Sequence, residues 1–365
     1  MRHFFSLLDY VGLFQAPSWR FFVFPRPNLR RKRLEIKTNS FSPNPLEGRL
    51  EQDVSIPRLL LEAGILLTPA IAFWDPYPWW YPPAWFPILR YASHFRYDTQ
   101  NLCLHDSVFS LDSRIRQILS EEIGAGYCGY MLREHFNVRH IADAAPLIGT
   151  QLIRNNLKRK LRPDYFCRTT TQQTIVAEAK GTIGNMRSLS PMMKKGKRQV
   201  TSVQPSGASA NQNLVIGLAL ATYGDDQNSI GVIHDPPSPK AIPVDVPPDD
   251  IVRWSYAKVF ASFGMPVHAQ FLLENRNIGH LHDQLELVTT KKVGQQEFIV
   301  PKVPNWPDDI RGLWNLGLLK AVYDTLLKPP KDLESSIETA LDGIKPTEDE
   351  HSILLNNGVL LQMFK

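Results

Sequence analysis

Arg162-Pro163-Asp164-Tyr165-Phe166-Cys167-Arg168-Thr169 and, beyond the polar turn Thr170 to Gln173, Thr174-Ile175-Val176-Ala177-Glu178-Ala179-Lys180-Gly181 decide how this chain is read. Both read as short extended segments, and the second is alternating and β-branched, as strands are. Alternation puts Glu178 and Lys180 on one face, about 7 Å apart along the backbone, and the two alanines on the other. Thirteen residues separate Asp164 from Glu178. That is enough for two adjacent antiparallel strands joined by the turn, so both carboxylates converge at one end of a sheet. Two carboxylates and a lysine at one point suit a hard cation such as Mg²⁺, with Mn²⁺ as a substitute. Phosphodiester hydrolysis uses these groups: carboxylates hold the metal, the metal polarises the phosphate, and an amine orients or deprotonates the attacking water.

Upstream, Ile115, Ile118, Leu119, Ile123, Tyr127, Tyr130 and Met131 recur at helical spacing and predict an amphipathic helix that starts near an Asp or Ser cap at Asp112. A strand is predicted at 138–142, a basic stretch at 154–162, and a basic helix between Pro191 and Val203. The apolar run 214–222 reads as a buried central strand and 229–233 as another. From Gln151 to Val203 twelve Lys or Arg face only two acids, Asp164 and Glu178, a balance of +10. Cations in such a segment contact phosphates without reading sequence.

The pattern Pro163-Asp164, then Glu178-Ala179-Lys180, resembles the PD-(D/E)XK signature of the restriction-endonuclease-like nuclease superfamily. The resemblance implies an α/β fold: a restriction-endonuclease-like core with a mixed central sheet flanked by helices. It also implies that Asp164 and Glu178, with the backbone of Ala179, bind Mg²⁺ and that Lys180 serves the water. Such nucleases usually add an acid on the helix before the sheet. Glu122 lies roughly 80° from the centre of the apolar stripe, Glu121 nearly opposite it, so Glu122 is the candidate. After the strand, Lys194, Lys195, Lys197 and Arg198, with Arg162 before it, are candidates for nucleic-acid contact. Gln199 resembles the superfamily's post-strand glutamine and joins them.

The flanks are read from composition. The chain has 365 residues, 43% apolar, with a net charge of only +5; this excludes a disordered or fibrous protein and does not by itself mark a nucleic-acid binder. Prolines crowd the first hundred residues and leave helical windows such as 56–67. Residues 1–108 therefore read as a Pro- and aromatic-rich accessory region, whose rings at 73–86 either stack on bases or, the favoured reading, pack on the next domain. The nuclease core is assigned to 109–235, a proline-rich linker to 236–248, and a mostly helical C-terminal domain to 249–365, with helices at 249–263 and 308–327. Its segment 331–350 carries a net charge of −5, read as a solvated helix face or, by charge alone, a cover for the basic cleft. Three cysteines without a CxxC pair argue against a disulfide scaffold and for a reducing, cytoplasmic compartment. No signal peptide and no membrane-spanning run are expected.

Other constellations carry less. His280-Leu-His282-Asp283 lacks a third ligand at a metal spacing, and Gly124-Ala-Gly126 lacks the strand that a dinucleotide fingerprint needs. His105, His135 and His140 have no nucleophile elbow, and Cys128 reads as a core thiol. The expectation is a Mg²⁺-dependent nuclease, acting on DNA ahead of RNA. By analogy with the superfamily it resembles a prokaryotic restriction or antiviral-defence effector, working as a homodimer or with a defence-complex partner. The alternatives are a binding or assembly subunit that does not cut, and an effector active only with a partner.

Overall fold

A run as apolar as 214–220 is satisfied only when neighbours cover both its edges and both its faces. The computed structural model describes residues 30–39, 49–70, 86–148, 162–206, 210–222, 228–237, 241–274, 288–302, 314–327, 331–349 and 351–363. In it this run is the centre of a seven-stranded sheet. The strands are β1 (Arg31–Asn39), β2 (Arg49–Ser55), β3 (Val138–Asp143), β4 (Tyr165–Thr169), β5 (Thr174–Ile183), β7 (Ala210–Leu220) and β8 (Ile230–His234). Their order is β2-β1-β8-β7-β5-β4-β3, and the sheet is mixed: β5 with β7 and β1 with β8 are parallel, the other pairs antiparallel. The expected strand pair around the polar turn is present as β4 and β5, with Gln172 at φ 59° in the turn.

Two layers of helices cover the sheet. On one face lies α3 (Ser113–His135), its first turn capped by the Asp112 carboxylate accepting from Arg114 N–H at 2.8 Å. It approaches β5 so closely that a Cβ on Gly181 would lie 1.8 Å from the Ser120 carbonyl oxygen. Behind it packs α1 (Ile56–Leu67), whose bounds match the predicted window. On the other face lies α4 (Met186–Val200), capped by Asn185 and beginning five residues before the expected Pro191. Gly217 of β7 admits it, since a Cβ there would meet Met193 Sδ at 2.4 Å.

Three expectations change. The sheet crosses the boundary set at residue 108, because β1 and β2 are two of its strands. Lys32, Leu34 and Ile36 of β1 are buried on one face in strict alternation, a pattern that a lysine disguised; its ammonium donates to the carbonyls of Tyr97 (3.0 Å) and Thr99 (2.5 Å). The linker 236–248 contains β9 (Ile242–Asp245), paired in parallel with β6 (Val203–Ser206).

The C-terminal part is not mostly helical. After α5 (Pro248–Ser262) and α6 (Pro266–Leu273) comes a six-stranded antiparallel sheet, order β10-β11-β12-β15-β14-β13. Its strands are β10 (Val288–Val293), β11 (Gln296–Pro301), β12 (Trp314–Leu319), β13 (Thr347–Glu348), β14 (Ser352–Leu354) and β15 (Val359–Met363), with α7 (Lys320–Leu327) and α8 (Leu333–Ala340) between. The helix expected at 308–327 is a strand followed by a shorter helix; 308–313 lie outside the described residues. Glycines at positive φ, Gly294 (60°) and Gly358 (81°), turn two of the hairpins.

The acids of 331–350 are not simply a solvated face, and those of α8 do not meet the basic helix α4. Glu334 takes both ends of the buried Arg168 guanidinium at 2.6 and 2.8 Å, and Glu338 pairs with Arg139 and His140. α5 shields the sheet edge, where Ile141 N–H donates to Ser255 Oγ at 3.2 Å. Among the described residues no helix is long and apolar enough to cross a membrane.

Candidate active site

Strand β5 outruns β4. Their pairing ends at Tyr165↔Ala177, whereas β5 stays paired with β7 to Ile183. The next partner for Ala179 would be Pro163, which has no N–H to donate. Asp164 uses the break: its Oδ2 accepts Ala179 N–H at 3.0 Å, while its own carbonyl accepts from Ala144 N–H at 2.9 Å. The carboxylate is thus fixed at the point where the ladder stops. Ala179's carbonyl points the same way as its N–H, so it too faces this break.

Glu178 and Lys180 share the face turned toward α4. A Cβ on Gly196 of that helix would lie 3.4 Å from Glu178 Cγ and 3.5 Å from Lys180 Cε, so the glycine makes room for both side chains. The Lys180 ammonium is ion-paired with Glu178 Oε1. Glu178 is fully buried, and its Oε2 has no hydrogen-bond partner. Burial, and then the charge of Asp164, push the Glu178 carboxyl up to about 8 against the pull of Lys180. Asp164 is also raised by burial, opposed by Lys180 and by the Ala179 N–H. Burial and the charge of Asp164 disfavour ionisation of Glu178, whereas Glu178 favours the charge on Asp164; a divalent cation that neutralised both carboxylates would relieve Glu178. Asp164, Glu178 and the Ala179 carbonyl are the groups present to hold it. Among the described residues no group of three or more His, Cys, Asp or Glu is placed to do so.

Glu122 is not brought to this point. It belongs to the α3 layer, on the face opposite Glu178 and Lys180. There its Oε2 accepts from Tyr91 Oη at 2.5 Å and faces Arg90 at 3.5 Å, on α2 (Phe86–Tyr91). The stripe argument that chose it is sound for the helix axis but says nothing about which side of the sheet the helix covers.

Gln199 is buried, not turned toward a ligand in solvent. Its Nε2 donates to the Arg162 carbonyl at 3.0 Å, so it anchors the segment that delivers Asp164. Lys194, Lys195 and Arg198 are exposed on α4 and Lys197 is half-buried. Of the wider basic segment, 154–160 lie outside the described residues, as do 73–85 and His280 to Asp283.

Two neighbours were missed. Asp143, at the end of β3 beside Tyr165, raises Asp164 slightly by its charge and is ion-paired with the buried Lys258. His234, at the end of β8, is lowered to about 4 by burial and by Lys197. A carboxylate ending a strand next to the Pro163-Asp164 segment was the available signal for Asp143; His234 had none. No family model, no curated protein and no solved structure matches this chain.

Proposed function

We propose that the protein is a Mg²⁺-dependent nuclease hydrolysing phosphodiester bonds, in DNA ahead of RNA. The observation that carries this reading is the meeting of Asp164, Glu178 and Lys180 at the break in the β4–β5 ladder, with Glu178 Oε2 buried and unsatisfied. The +10 balance of 151–203 supports it from outside the site. Asp164, Glu178 and the Ala179 carbonyl would hold the cation. The chemistry such a cation supplies is charge neutralisation at the phosphate and a lowered pKa for water. The chain's own groups do the rest. Ala179 N–H orients Asp164, and Gln199 holds the preceding main chain. Lys180 Nζ, released from Glu178, would orient the attacking water by donating to it. Lys194, Lys195, Lys197 and Arg198 draw the phosphate backbone to that face of α4.

By resemblance alone, the cellular role we infer is a cytoplasmic prokaryotic restriction or antiviral-defence effector, acting as a homodimer or with a defence-complex partner. The test is incubation of plasmid, linear duplex, single-stranded DNA and RNA with Mg²⁺, Mn²⁺ or EDTA, alongside Lys180→Ala and Asp164→Asn. Metal-dependent cutting lost in both variants is the expected result. Folded protein that cuts nothing under any condition would refute constitutive nuclease activity.

A further inference from the structure

The free edge of β5 runs on from the ladder break into a cleft of about 380 Å³. Its floor is Gly181, Thr182 and Ile183, immediately after Lys180; one wall is the start of α3 and the other includes Met192 of α4. Ile183 lies about 10 Å along the strand from Lys180, at about 3.3 Å per residue. On this edge the main-chain groups of Gly181 and Ile183 point away from β7 and, among the described residues, meet no strand.

The α3 wall is polar: Ser113, Arg116, Gln117, Ser120 and Glu121 recur at i, i+3 and i+4 spacing and present one face of the helix to the cleft. Phe109, 53% exposed, stands at the cleft with the Arg116 guanidinium 5.8 Å from its ring centroid. Cationic and aromatic groups side by side form the kind of platform on which a base stacks while its phosphate is neutralised. On the same exposed face, Gln117 Nε2 donates to Glu121 Oε1 at 2.9 Å. This leaves the second Glu121 oxygen and the Gln117 carbonyl as acceptors for the amino groups of a base edge. The volume is at the lower end of the roughly 300–1,000 Å³ of small-molecule clefts, room for about one nucleotide, and a base can stack on Phe109 only when it is unpaired.

We infer that this cleft takes an unpaired nucleotide of the strand whose scissile phosphate lies at Lys180, so that the substrate is single-stranded or frayed next to the cut. The inference rests on the nuclease reading for its register but not for its binding chemistry, and the two are separable. Fluorescence anisotropy in EDTA, with the full chain and one labelled sequence as single-stranded DNA, blunt duplex and RNA, reads binding without cutting. The expected result is preference for the single strand, with Phe109→Ala weakening it roughly five- to a hundredfold, the worth of one stacked base. Arg116→Ala should weaken single-strand binding less and reduce its salt slope by about one. Phe109 is exposed and Arg116 half-buried, and neither belongs to the core, so the fold is expected to survive both changes.

Unchanged single-strand affinity in Phe109→Ala, equal affinity of the parent for the blunt duplex, or no nucleic-acid binding at all would each overturn the cleft. Cutting by the same preparation is scored in parallel. Cutting retained without the Phe109 effect removes the cleft alone, and a Phe109-sensitive binder that never cuts removes the nuclease alone.

Discussion

The raised carboxyl at Glu178 would move the pH dependence of cation binding up into the neutral range, where an exposed carboxylate site shows almost none. Burial and the Asp164 charge move this group from its ordinary 4.5 to about 8. A cation takes carboxylates only in their ionised form, so binding at pH 7 must expel a proton. Well below pH 8, apparent affinity for Mg²⁺ or Mn²⁺ should therefore fall tenfold per pH unit, about 1.4 kcal/mol each, and about fiftyfold between pH 8 and pH 6. Folding runs the opposite way: the metal-free folded chain holds this proton more tightly than the unfolded chain. The group's contribution to stability is thus fully present below about pH 4.5 and lost as pH rises through about 8. Titration calorimetry at several pH values, in buffers of different ionisation enthalpy, measures affinity and counts protons together. About one proton released per cation at pH 7 is expected. Lys180→Met, which removes the opposing ammonium, should move the break to higher pH; Glu178→Gln should abolish both the dependence and most of the affinity. An affinity flat from pH 6 to pH 8 with no proton released would refute the reasoning, and undiminished binding in Glu178→Gln would place the cation elsewhere.

Gly181→Ala forces a methyl to within 1.8 Å of the Ser120 carbonyl oxygen, so α3 must retreat from β5; a loss of about 3 kcal/mol or more is expected in urea denaturation, and a change below about 1 would contradict the packing. Arg168→Ala leaves the buried Glu334 carboxylate without its bidentate partner and should cost about 3–5 kcal/mol, much of it recovered in the Arg168→Met, Glu334→Leu pair; equal instability of the single and double variants would sink this account. Gln199→Leu should slow cutting roughly ten- to a hundredfold with the salt slope of DNA binding unchanged, whereas Lys194→Ala with Lys195→Ala should lower that slope by about two and spare the cutting rate at saturation. The opposite pattern in either variant would reverse the roles given to α4's buried and exposed faces.

What was legible in the sequence follows from how local each signal is. Asp112 caps its own helix, and β4 and β5 are joined by a four-residue turn, so nearest neighbours along the chain decide both. The helix at 56–67 lies between Ser55, which caps it, and Thr68. Composition hid the rest. Lys32 interrupts the apolar alternation of β1 because its ammonium finds two carbonyls some 65 residues away, and Trp314 to Leu327 reads as one helical run although its first half pairs with β11 and β15. Glu122 fails for a related reason: periodicity gives the buried stripe of a helix but not the sheet face on which it is laid.

Buried charge is common in this chain, and at several places the fold itself satisfies it. Arg168 and Glu334 meet with two hydrogen bonds across a sheet and a helix, and Lys258 is shared between Asp143 and the Leu66 carbonyl. Such groups have what they need in the fold, and removing one partner damages stability. At Glu178, burial and the charge of Asp164 raise the carboxyl, the Lys180 ammonium acts on both acids, and Oε2 is left without a partner. That arrangement costs stability at neutral pH, and it stands where Pro163 has halted a ladder that another residue could have extended. A chain that needed only a stable sheet would be better served by extending the ladder and placing an apolar residue at 178. On the proposed reading, a cation that displaced the Glu178 proton would reach both carboxylates from the strand edge beside Lys180, the side from which a phosphate would also approach.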